Sequence, residues 1–80
     1  MICNMIVACY NAGGEPDLFF VKVECTEEQY ENGEHYGAAE RAAWDEGYES
    51  DQMVSFDQND SAGRAMQGLF AWESASITKV

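Results

Sequence analysis

Three cysteines, Cys3, Cys9 and Cys25, and one histidine, His35, are the side chains of this 80-residue chain best suited to covalent or metal chemistry. A thiol becomes a nucleophile when a neighbouring base or cation holds it as thiolate. No local motif surrounds these residues, and one His with three Cys satisfies a search for such a pair by chance. Structural zinc needs closely spaced ligand pairs, and the chain has neither a Cys-x2–4-Cys pair nor a second His. His35 is read as a solvated or partly packed side chain. The thiols are read as reduced and buried, acting as small hydrophobes. Cys3 and Cys9 on one strand would stand ~20 Å apart, too far to bridge. A bridge from Cys25 to either one stays geometrically open. No catalytic residue, metal ligand or cofactor is expected, and a small Cys/His enzyme or metal binder is kept only as an alternative.

Two further segments invite a ligand. Asp57-Gln58-Asn59-Asp60-Ser61 begins like a calcium loop, but Ala62 and Gly68 stand where the pattern requires Gly and Glu. A turn ending in helix-capping residues explains it better. Gly13-Gly14 lacks the Lys and the glycine spacing of a phosphate loop, and Glu15 and Asp17 would repel a phosphate. A hairpin turn is the simpler reading.

Charge is the strongest signal. Fifteen Asp and Glu stand against four Lys and Arg, for a net charge of −11. The window 24–60 holds twelve of the acids and only Arg41 among the bases, so all of the net charge lies there. Such a chain will not bind nucleic acid directly, because that requires Lys and Arg to displace counterions from phosphates. Anionic membrane surfaces repel it too. No apolar run approaches a membrane-spanning length, and no basic residue precedes Ile2–Tyr10, so no signal peptide is read and a cytoplasmic location is expected.

The elements that must carry these residues follow from periodicity. The length fits a single domain over 1–80, small and marginal, with much of its core drawn from aromatics and Met. Ile2–Tyr10 is an apolar run suited to a strand buried on both faces. Leu18–Cys25 alternates, with Phe19, Val21, Val23 and Cys25 on one side, and pairs with the first strand as a hairpin. Thr26-Glu27-Glu28-Gln29 has capping-box spacing. An acidic helical segment follows over 24–51, either a short helix to about Asn32 and a second over about Glu34–Glu46, or one kinked helix. Tyr36, Ala39 and Ala43 share its inner face, and Gly47 is a natural stop. Trp44 falls off that face; it is read as packing on a core edge, with an aromatic anchor as the alternative. Met53–Asp57 reads as a third strand with Val54 and Phe56 inward. Ala62, Ala65, Met66, Leu69 and Phe70 have helical spacing, and the last residues read as a fourth strand. The expected fold is α+β, order β-β-α(α)-β-α-β: an antiparallel or mixed sheet of about four strands, with helices mainly on one face.

Acids at helical i, i+3 and i+4 spacing repel one another, and confining them to one segment makes a directed field. Carboxylates on successive turns, ~5–6 Å apart, match the order of phosphate spacing on a nucleic-acid strand. The expected partner is therefore a basic protein surface, met by Glu27, Glu28, Glu31, Glu34, Glu40, Trp44, Asp45, Glu46, Glu49 and Asp51. The acidic, aromatic-dotted runs Thr26–Tyr36 and Trp44–Asp51 resemble those of small phage-type anti-CRISPR proteins that act as DNA mimics. The resemblance is to a class without a shared motif. It implies a CRISPR–Cas surveillance complex as partner, with a type I complex favoured, and blocked target-DNA binding as outcome. An antitoxin-like regulatory module for another basic protein is the alternative.

Overall fold

A computed structural model describes residues 1–61, 64 and 72–80. The first two strands, β1 (Ile2–Tyr10) and β2 (Pro16–Glu24), pair antiparallel in unbroken register from Ile2 opposite Glu24 to Tyr10 opposite Pro16. Their connection is organised by Asn11, whose Oδ1 accepts from Gly13 N at 2.9 Å and Glu15 N at 3.0 Å. Gly14 sits at φ 78°, which a side chain would oppose. The turn chemistry read in the sequence thus closes the hairpin.

Two helices follow, α1 (Glu27–Glu31) and α2 (Glu34–Asp45). Thr26 Oγ1 accepts from Gln29 N, and Gln29 Oε1 accepts from Thr26 N, the reciprocal capping box expected. Of the two alternatives, the break is real: Gly33 at φ 74° separates the helices. At the far end Tyr48 N donates to Ala43 O and Gly47 N to Trp44 O, with Gly47 at φ 98°. This is a Schellman stop at the predicted glycine.

Strand β3 (Glu49–Asp57) starts four residues earlier than expected. It pairs antiparallel with the other side of β1, with a register shift between Ala8 opposite Val54 and Tyr10 opposite Glu49. After a 3-10 turn at Trp72–Ser74, β4 (Ser76–Lys79) pairs parallel with β2. The mixed sheet has order β3-β1-β2-β4, which fits α+β. The expected helix through Ala62, Ala65, Met66, Leu69 and Phe70 lies outside the described residues.

β1 is central, and Met5, Ile6 and Val7 are fully buried on alternating faces. On one face α2 lays Ala38, Ala39 and Ala43 against Met5, Val7, Val21 and Val23. The alanines let the helix axis come close, since nothing longer than a methyl group intervenes. On the other face Ile6 lies between Phe20 and Phe56 in register, and Trp72 meets Phe20 edge-on at 5.5 Å. One expectation fails in β3. Val54 is 54% exposed rather than inward, and the residues facing α2 are Met53, Ser55 and Asp57. The inward side of this strand is largely polar because it answers polar groups of α2.

Thr26→Ala removes one half of the capping box and is expected to lower unfolding stability by about 1 kcal/mol in urea titration, with an unchanged m-value. An unchanged midpoint would mean that α1 is held by packing alone.

Candidate functional site

The acidic surface is built by α1, α2 and the start of β3. Glu27, Glu28, Glu31, Glu34, Asp45, Glu46 and Glu49 are all exposed, and among the described residues none has an ion-pair partner. Among the described residues the one exposed ion pair, Lys79 with Glu24 at 3.5 Å, lies at the opposite edge strand. The acids do not form one unbroken row. Glu34, Arg41, Trp44 and Asp45 share the outer stripe of α2 at i, i+7, i+10 and i+11. Arg41 thus sits between an N-terminal group (Glu27, Glu28, Glu31, Glu34) and a C-terminal group (Asp45, Glu46, Glu49). Eleven residues of helix place Glu34 and Asp45 ~16 Å apart.

Three sequence expectations change here. Trp44 is 63% exposed, so the core-edge reading fails; its position opposite the alanine face points it to solvent. Glu40 is half-buried and accepts a 2.9 Å hydrogen bond from the Ser55 hydroxyl, which ties α2 to β3 and withdraws it from the free acids. Asp57 and Asp60, counted with the acidic window, do not belong to the surface field: Asp57 is 1% exposed and Asp60 receives the Tyr36 hydroxyl at 2.9 Å. The side chain of Asp51 lies outside the described residues.

A further correction concerns His35. It is 2% exposed, with Nε2 3.2 Å from Asp57 Oδ2. Tyr30 stacks on its ring at a centroid distance of 4.6 Å and Tyr36 meets it at 4.3 Å. Asp57 Oδ1 in turn accepts from Asn59 N at 3.0 Å, and Asp60 Oδ2 accepts from Asp57 N at 3.0 Å. The Asp57–Ser61 segment is therefore a turn, as read, but one whose first carboxylate points inward. The sequence hid this because Asp57 stands 22 residues from His35, and no local pattern joins them.

Cys3 senses the negative charge of Asp57, so a thiol shares the surroundings of the carboxylate that meets His35. Their electrostatics oppose nucleophile activation. Burial pushes the Cys3 thiol up to about 12, and Cys25 and the negative charge of Asp57 add to this. An activated cysteine needs the reverse, a cation or helix N-terminus that favours thiolate. Burial also raises Tyr36 to about 12, helped by its hydrogen bond to Asp60. Among the described residues no group of three or more His, Cys, Asp or Glu is arranged to hold a metal ion, and no helix is long and apolar enough to cross a membrane.

Two measurements check this cluster. A double-mutant cycle of His35→Phe and Asp57→Ala in urea should give a coupling well above 0.5 kcal/mol, with Asp57→Ala alone costing about 3–5 kcal/mol. Strict additivity would show that the two side chains do not sense each other. Tyr36 is neutral in the fold beyond the ordinary tyrosine range, so its contribution to stability is complete below pH 10 and is lost as pH rises towards 12. Absorbance at 295 nm should show a late-titrating tyrosine, absent in Tyr36→Phe.

No protein-family model matches the chain, and no curated protein or solved structure matches it either.

Proposed function

We propose that the protein is a non-enzymatic inhibitor that occupies a basic nucleic-acid-binding surface and keeps nucleic acid from it. The observation that carries this reading is a surface of seven exposed, unpaired carboxylates on α1, α2 and the start of β3, with Trp44 standing 63% exposed among them. Exposed like charges at these spacings disfavour the helices that carry them. Against a basic groove the same repulsion is relieved. Carboxylates paired with Lys and Arg form charge-assisted hydrogen bonds, and the field steers association. Trp44, beside Asp45, supplies exposed apolar area of the kind that anchors interfaces. Arg41 interrupts the stripe, so the mimicry is of two separate phosphate clusters, the second beside an aromatic contact, rather than of a continuous strand.

The resemblance to small acidic anti-CRISPR proteins makes a CRISPR–Cas surveillance complex the first partner to try, a type I complex foremost, with target-DNA binding as the step blocked. In a gel-shift competition, the protein should displace target DNA from the complex, with potency falling steeply as salt rises. Reversing Glu27, Glu28, Glu31 and Glu34 to Lys should abolish displacement, and Trp44→Ala should weaken it about tenfold or more. Undiminished displacement by the charge-reversed protein would defeat the reading. Lack of binding to such complexes, with salt-sensitive capture of another basic protein, would favour the regulatory-module alternative.

A further inference from the structure

Cys3 and Cys25 meet on the helix-facing side of the sheet with their sulfurs 3.8 Å apart. Cys3 stands opposite Val23, and Cys25 follows β2 directly. Cys25 N donates to Met1 O at 3.0 Å, and the Met1 amino group donates to Cys25 O at 2.7 Å. The two cysteines are therefore diagonal neighbours on a ladder held at its end by a reciprocal pair of hydrogen bonds. Cys9 is placed elsewhere, its thiol directed at the carbonyls of Val7 and Asp17 at 3.6 and 3.7 Å.

Both cysteines are nearly covered, Cys3 at 4% and Cys25 at 5% exposure, so a reagent must approach from the Cys25 side. Cys25 lines a surface depression of about 450 Å³ together with Met1, Glu24 and Lys79. Its volume falls within the range of small-molecule sites. Lys79 is paired with Glu24 at 3.5 Å and the Met1 amino group is held by Cys25 O, so the depression is less acidic than the surface of α1 and α2, and a small molecule that carries negative charge meets less repulsion here.

We propose that Cys3 and Cys25 close into an intrachain disulfide by exchange with a low-molecular-weight disulfide that enters this depression. The Cys25 thiolate attacks one sulfur of the small disulfide, whose S–S bond breaks and releases one small thiolate. Cys3 then loses its proton to solvent and attacks Cys25 Sγ in the mixed disulfide, expelling the second small thiolate. Two protein thiols are oxidised and one small disulfide is reduced to two thiols. The sulfurs must close from 3.8 Å to ~2 Å, and because diagonal neighbours on an antiparallel ladder stand ~7–8 Å apart, closure draws the two strand ends together as well as turning the side chains. Because burial holds Cys3 protonated, the second step quickens as pH rises. Closure pins β1 to the residue preceding Thr26, and so fixes where α1 begins.

The full chain, incubated with oxidised glutathione and then alkylated in denaturant, tests this. The expected product has lost about 2 Da before alkylation and takes up one alkyl group, at Cys9. Cyanogen bromide cleavage after Met5 separates Cys3 from Cys9, and trypsin cleavage after Lys22 separates both from Cys25, so the bridge can be assigned. Cys9→Ser should close as readily, while Cys3→Ser should stop as a glutathione mixed disulfide on Cys25. The oxidised form should melt about 10 °C higher than the reduced form. Three alkylated cysteines, a stable mixed disulfide in the unmutated chain, or a bridge containing Cys9 would each overturn the proposal.

Discussion

The contact between His35 and Asp57 is the constraint on which the arrangement of helices and sheet depends. An isolated polar group in a protein interior is costly, and an unpaired charge more so. Each residue therefore fixes the other's position. His35 lies in the first turn of α2 and Asp57 at the end of β3, so their approach sets the helix across the edge of the sheet. Tyr30 and Tyr36 close over the imidazole from α1 and α2, which brings the short first helix into the same cluster. Asp60, holding both Asp57 N and the Tyr36 hydroxyl, turns the chain away immediately afterwards.

With that anchor in place, the rest of the interior is a division of labour between the two faces of one sheet. The α2 face uses small and flexible side chains, alanine, valine, cysteine and Met5, and so admits a helix at close range. The opposite face uses large aromatics, Phe20, Phe56 and Trp72, around Ile6. An acidic chain with few branched aliphatics can fold in this way because a central strand, β1, is buried on both sides. Among the described side chains its carboxylates, with Asp57 as the exception and Glu40 and Asp60 half-withdrawn, stay in water.

What could be read in the sequence was what is local. The β1–β2 hairpin followed from Asn11-Ala12-Gly13-Gly14 between two apolar runs. The capping box at Thr26 and the stop at Gly47 followed from spacings of a few residues. The exposure of Glu27, Glu28, Glu31 and Glu34 followed because ionised side chains rarely enter a core. The misreadings share a different cause. His35, Glu40, Val54 and Trp44 each depend on a partner, or the lack of one, that is distant in the chain. Val54 reads as inward by hydropathy, yet the strand's other side was already claimed by Ser55 for Glu40 and by Asp57 for His35. Hydropathy has no means of expressing that a buried polar pair outranks a valine in setting a strand's phase. The interrupted character of the acidic stripe was available, since Arg41 falls between Glu34 and Asp45 at simple helical spacing.

The placement of β4 bears on how the chain reaches this state. β1 and β2 are joined by five residues and can zip directly, whereas β4 must cross the sheet from its opposite edge before it pairs parallel to β2. Contacts that close long loops form late. Until then the outer edge of Phe19-Phe20-Val21-Lys22-Val23 is an open template for another copy of the same strand. The four residues of β4 finally pair with its Val21–Glu24 end. During that interval the copies repel one another through a net charge of −11. The acidity that shapes the finished surface is thus also a chaperone written into the chain, acting while the sheet is still incomplete.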